Sequence, residues 1–222
     1  MRSLTQPKVL GRALVAALIT SFACYPRLAT WTERGASASF LWAVLLWAMF
    51  VLWGFVFAWH FQYSQRPVFG LEKFDPKLWA VASLVAIAAA LFVHFNLDPK
   101  LRLLTPGTYP TDWNSWVAMG LFALAFEPLF LYFAPFAFFI RLMRRQDAAL
   151  AMTVVFGLFV LALRINASPA PASVWLLVEL VCLRVLGGFA GLYLYIKGGA
   201  LLVWWVVIIL HLRFLLDFAG AG

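Results

Sequence analysis

Residues 174–196 read VWLLVELVCLRVLGGFAGLYLYI. At about 1.5 Å per residue, a helix of roughly 20 residues crosses the ~30 Å hydrocarbon core of a bilayer. In hydrocarbon every backbone N–H and C=O must be satisfied within the protein, which a helix does alone and an isolated strand does not. The alternation of apolar and polar residues that marks a membrane barrel strand is absent. The stretch is read as a transmembrane helix, and similar blocks lie on either side of it. Residues 199–219 form one, ending near FLLDF (214–218). Upstream lie 148–163, 115–140, 78–97, the tryptophan-rich 38–61, and 10–25. The expected fold class is all-α: a polytopic transmembrane helical bundle of about seven spans.

Composition agrees. The chain has 222 residues, of which 65% are hydrophobic and 12% charged. That charged fraction is about half of what a soluble domain carries. The net charge of +8 lies between spans and is no nucleic-acid signature. Cys24 and Cys182 are far apart and outside any CxxC, so neither a disulfide framework nor a zinc site is expected. Tryptophans 31, 42, 59, 79, 113, 116 and 175 fall near span ends, as an interfacial belt would. The basic, apolar N-terminal segment is read as an uncleaved anchor.

Lysine and arginine set the orientation. With the N-terminus inside, the inner segments hold Arg2, Lys8, Arg12, Arg66, Lys73, Lys77, Arg141, Arg144, Arg145 and Lys197. The outer ones hold Arg27, Arg34, Lys100, Arg102 and Arg164. This bias places the N-terminus in the cytoplasm and the protein in a membrane of the bacterial cytoplasmic (inner) type.

A charge inside a span costs about 2.5–3.5 kcal/mol on insertion scales, so each one requires a reason. Within the spans lie Glu127, Glu179, Arg184, His211, Arg213 and Asp217; His60 and His94 sit near span ends. Glu127 and His211 both fall near mid-span and would meet if their helices touch. Glu179, Arg184, Arg213 and Asp217 are expected to form an interhelical network, Glu179 with Arg213 and Asp217 with Arg213 or Arg184. Gly187, Gly188 and Gly191 offer a close helix contact, with GxxxG spacing between Gly187 and Gly191. Pro128 and Pro135 each remove a backbone donor and should bend the helix that carries Glu127.

The C-terminal half resembles the CPBP family of intramembrane proteases, which contains the CAAX prenyl endopeptidases and bacteriocin-processing proteins. The resemblance rests on GGFAGLYLYIKGGALLVWWVVIILH (187–211), on FEPLFLYF (126–133) and on VFGLFVL (155–161), in the family's order and rough spacing. It implies an all-helical membrane bundle enclosing a cavity. It aligns Glu127 with the first glutamate of the EExxxR motif, Phe156 with the phenylalanine of FxxxH, and His211 with the histidine of HxxxN. In the family the glutamate and the FxxxH histidine are thought to activate water, and the HxxxN pair to stabilise an oxyanion. Here the second glutamate is Pro128, the arginine Tyr132, the FxxxH histidine Val160, and the asparagine Leu215. Valine accepts no proton and holds no water. The losses fall on the chemistry while the helical frame remains.

Two regions are therefore expected: residues 1–100, spans one to three without a diagnostic motif, and 101–222, a CPBP-like core. The favoured function is a catalytically inactive relative. It would act as a binding, assembly or structural subunit, with membrane lipids and other transmembrane proteins as partners and no nucleic acid. Trp42, Trp47, Trp53, Phe130, Phe136 and Phe138 would suit such contacts. The alternative is an active glutamate-dependent endopeptidase using Glu127 and His211. No cofactor is assigned, although His60 and His94 are the candidate axial ligands if a tetrapyrrole metal is bound.

Overall fold

Residues 6–30, 37–64, 68–70, 74–168 and 171–219 are described by the structure, a computed structural model. Arg2, Trp31, Arg34, Arg66 and Lys73, which entered the orientation and belt arguments, lie outside the described residues. All regular elements among the described residues are helical: α1 (Pro7–Ala29), α2 (Ala38–Trp59), α3 (Pro76–Phe92), α4 (Asp98–Leu104), α5 (Trp113–Ala125), α6 (Ala134–Met143), α7 (Gln146–Asn166), α8 (Val174–Leu212) and α9 (Leu215–Ala219). Single π-helical turns follow α2 (His60–Ser64) and α3 (Val93–Leu97) and precede α6 (Leu129–Phe133).

Short polar residues start these helices. Ser37 accepts from the Phe40 N–H, Asp75 from Lys77 and Leu78, and Ser173 from Leu176. Asp112 and Ser115 form a reciprocal capping box at α5. Each satisfies amide donors that the first turn leaves unpaired.

Among the described residues, six helices are long and apolar enough to cross a membrane: Pro7–Ala29, Ala38–Gln62, Pro76–Leu104, Trp113–Met143, Gln146–Asn166 and Val174–Asp217. Six helices carry the seven expected segments, because no loop separates 174–196 from 199–219. One residue does so instead. Gly199 has φ 76° and ψ −174° within the 39 residues of α8. A straight helix of that length would run ~58 Å, about twice the hydrocarbon core. Yet Glu179 near its start bonds Lys100, and Asp217 beyond its end bonds Arg102, two residues further along α4. Both ends therefore lie at the same end of the bundle, and α8 is a hairpin of two legs.

The reversal is wedged by backbone against backbone. Gly70, also at φ 76°, lies against Gly198 and Gly199, and the Ala200 N–H donates to the Val68 carbonyl at 2.9 Å. A Cβ on Gly70 would fall 2.1 Å from the Gly198 oxygen, and one on Gly199 2.6 Å from the Gly70 nitrogen. Only glycine suits this combination of positive φ and close approach.

Around the hairpin, α1 pairs with α2 and α5, α2 with α6, and α6 with α7. The first leg of α8 packs on α7 and on the π turn 129–133; the second packs on α3 and α5. The core between them is aromatic. The Trp53 indole donates to Thr20 Oγ1 at 3.2 Å and meets Trp204 edge-on, while Tyr195 stacks on Phe133 at 4.4 Å. Trp53 and Phe136, candidates for partner contacts from the sequence, are instead fully buried core residues, whereas Trp47 and Phe138 are exposed.

Replacing Gly199 by alanine is expected to destabilise the protein by more than the ~1–3 kcal/mol of a strained residue, since a clash is added. Gly187→Ala, where a Cβ meets nothing within 4 Å, should be neutral or stabilising by up to about 1 kcal/mol. Thermal unfolding in mild detergent compares the two; equal losses would contradict the wedge.

Candidate functional site

The helix broken by Pro128 and Pro135 supplies the centre of the site. α5 ends at Ala125, and Phe126 and Pro128 lead into the π turn, where the Ala134 N–H reaches the Leu129 carbonyl five residues back. Proline cannot donate at the two expected points of an α-helical ladder, and the wider turn between them re-pairs the chain. The expected bend thus takes the form of a π turn flanked by prolines.

Beyond this break the chain passes to α6 and α7. The latter packs along α6 and the first leg of α8 but makes no extended contact with α5. The side of the bundle between α5 and α7, where α8 packs against both, is termed the cleft. Glu127 follows the end of α5, and its side chain is exposed. Among the described residues its carboxyl makes no hydrogen bond or ion pair. The cations within its electrostatic reach are Arg164, Arg184 and Arg213. Arg213 is already held by Asp98.

Arg184 forms the floor. Its stem crosses Gly157, where a Cβ would touch Arg184 Cδ at 3.4 Å, and its guanidinium lies within hydrogen-bonding reach of the Tyr132 hydroxyl. Gly191 leaves room for the Tyr132 ring and Gly188 for Val154. The close contact anticipated from Gly187 and Gly191 is made by Gly188 and Gly191, and Gly187 is open. Phe122, Phe126 and Phe130 form a ladder of rings, and Phe130 meets Phe156 of α7 edge-on at 5.4 Å. Four-residue spacing puts Phe156, Val160 and Arg164 on one stripe of α7.

Glu127 and His211, expected to meet, are not joined. His211 lies under α5 nearer its start, with Nε2 3.0 Å from the Trp116 carbonyl oxygen and its ring stacked on Trp116. A Cβ on Gly120 would be 2.7 Å from the same nitrogen. Gly120 is two turns before Glu127, about 10 Å along the axis.

None of the expected pairs among Glu179, Arg184, Arg213 and Asp217 forms; three of the four pair instead with α4, and Arg184 is not among them. Glu179 pairs with Lys100 at 2.9 Å, Asp217 with Arg102, and Arg213 Nε with Asp98 at 2.9 Å. Asp98 is 1% exposed and also accepts from the Tyr109 hydroxyl at 3.0 Å. His94 Nδ1 lies 4.0 Å from Asp98 and 3.9 Å from Asp217. Lys100 and Arg102, read from the sequence as loop residues, belong to α4, which continues the third span through a π turn. Asp98 and Tyr109 went unnoticed because they follow the predicted span end; the Asp98-Pro99 helix start was the available signal. His60, at the other end, is buried with Nε2 2.8 Å from the Tyr195 hydroxyl. His60 and His94 thus stand in separate polar contacts.

No protein-family profile matches the chain, and no solved structure does. Over 91 residues it is 33% identical to the probable cytochrome c-type biogenesis protein NrfE of Escherichia coli K12, a match covering 40% of this chain and 15% of that protein. The chain therefore spans a small part of the length of this curated relative.

Burial, and then the Asp98 carboxylate, push the Tyr109 phenol well above its ordinary value. A group whose folded pKa is raised contributes its full stabilisation below the unfolded value of about 10 and loses it as pH climbs through the folded value. Absorbance titration should show more than one tyrosine still protonated above pH ~11, and one fewer in Tyr109→Phe. Asp98→Asn should cost about 3–5 kcal/mol by leaving Arg213 without its partner, read by thermal unfolding; a loss below 1 kcal/mol would contradict this.

Proposed function

We propose that this chain is a non-catalytic integral membrane protein on a CPBP-like frame, and that it docks a transmembrane segment of a partner in the cleft between α5 and α7. It thereby serves as an assembly or structural component of a membrane complex, in a bacterial cytoplasmic membrane with its N-terminus inside. The observation that carries this reading is the state of Glu127: exposed, yet among the described residues without a histidine to share a proton or a water. General acid–base chemistry needs the partner within hydrogen-bond reach, directly or through one water. His211 is committed to α5 near Trp116, and the stripe of α7 facing the cleft offers Val160. What remains is an aromatic-lined side of the bundle where one carboxyl stands within electrostatic reach of the Arg164 and Arg184 guanidiniums, a form suited to holding a helix. The name of the E. coli relative places that protein in cytochrome c-type biogenesis, and a part in assembling membrane proteins is in keeping with it.

Extraction in mild detergent at native expression, followed by mass spectrometry and particle sizing, should return other membrane proteins in stoichiometric amount. Glu127→Ala should reduce their recovery several-fold without altering thermal unfolding. Transmembrane peptides should remain uncleaved by the purified protein. Cleavage that is abolished by both Glu127→Gln and His211→Ala would replace this reading with the endopeptidase alternative, and a lone monomer from native membranes would overturn it.

A further inference from the structure

At the end of the bundle, His94 stands between two carboxylates that belong to different helices. Its Nδ1 is 4.0 Å from Asp98 Oδ2 of α4 and 3.9 Å from Asp217 Oδ1 of α9. That nitrogen is buried without a hydrogen-bond partner among the described residues, while the side chain as a whole is 14% exposed. Both separations exceed a hydrogen bond, and buried polar atoms seldom stay unpaired. A closure of about 1 Å brings either carboxylate into charge-assisted contact with the ring.

The other charged groups of the cluster are already engaged. Arg213 holds Asp98, Arg102 holds Asp217, and the Tyr109 hydroxyl donates to Asp98. Lys100 turns to Glu179 and Asn96, and His211 to the Trp116 carbonyl. Two carboxylates and two guanidiniums balance around His94, the member of this set that ordinarily changes charge between about pH 5 and 8. α9 (Leu215–Ala219) follows α8 through a turn at Arg213 and Phe214. A helix of so few residues does not hold itself and depends on what it is docked to.

We propose that His94 is a proton-operated clasp. Charged, it donates through Nδ1 to Asp217 and Asp98 and ties α9 to the end of the third span. Neutral, it exerts no such pull, and the Arg102 pair alone holds Asp217. A tie that requires the protonated ring is complete at low pH and is lost as pH rises through the histidine range. With the N-terminus inside, α3 runs outward, so the clasp responds to pH on the outer side of the membrane.

Amide hydrogen exchange of the full chain in lipid nanodiscs tests this. The Phe214, Leu216 and Asp217 amides, which donate to the His211, Arg213 and Phe214 carbonyls, report on α9. Their protection is taken relative to unstructured chain at the same pH. It should be about tenfold greater at about pH 5.5 than at about pH 8, the low end for a hydrogen bond between charged groups. His94→Gln should hold protection at the alkaline level throughout, and His94→Lys, charged at both pH values, at the acid level. Asp217→Asn, which leaves the ring in place, should also remove the dependence, whereas His211→Gln and His60→Gln should keep it. Equal protection at both pH values in the unaltered chain would overturn the clasp. So would a dependence that survives His94→Gln or Asp217→Asn, or one that disappears in His211→Gln. Behaviour of His94→Lys like that of His94→Gln would show that the charge is not the cause, and the proposal would fall.

Discussion

Two glycine backbones in contact set the rest of this fold. Gly199 reverses the chain with its backbone against Gly70, and the distances there leave no place for a side chain on either. The reversal turns one long apolar run into two legs standing side by side. The first leg brings Arg184 under α7 and Tyr195 under the π turn of Leu129–Phe133. The second brings His211 under α5 and Arg213 to Asp98. The floor of the cleft and the polar cluster at the end of the bundle are thus consequences of one turn. The nearby Trp53, Trp204 and Phe69 rings fill the space beside the wedge and hold it shut.

The charged groups of the membrane region divide by how they are satisfied. Asp98, Arg213, Arg102 and Asp217 form paired, hydrogen-bonded sets, with the Tyr109 hydroxyl on Asp98 and the Arg102 guanidinium over the Tyr109 ring at 4.9 Å. Removing charges from water is costly, and such pairing offsets it in part, with Arg102 Nε buried without a hydrogen-bond partner among the described residues. These residues join helices and fix their register. Glu127 belongs to a different class. The bundle gives it space and nearby cations but no hydrogen-bond donor.

Much of this was legible in the sequence because membrane helices announce themselves by length and composition. Pro128 and Pro135 marked an irregular helix, and the structure shows it as a π turn between them. Helix partners were less legible. Arg213 and Asp217 were singled out as ionisable groups within a span, but their partners lie more than a hundred residues away, just past the end of an apolar block where hydropathy stops reporting. A π turn there carries the third span on to Leu104, and no local pattern encodes that continuation. The likeness of Glu127 and His211 to a motif pair suggested a meeting that packing does not produce, because motif order along the chain carries no information on axial offset. Gly187 and Gly191 had the spacing of a contact pair; rotation of the helix chose Gly188 instead.

The ion pairs between Arg213 and Asp98 and between Asp217 and Arg102 join positions about 115 residues apart in the chain. During synthesis, α3 and α4 are made long before the second leg of α8 exists. Until then Asp98 and Arg102, four residues apart, have one another and Tyr109, and Arg213 and Asp217, also four apart, have only one another. Their leg becomes stable only on reaching a bundle already standing. The order of synthesis is matched in the charges: the second leg of the hairpin is the last piece to lock, because its partners stand on α4.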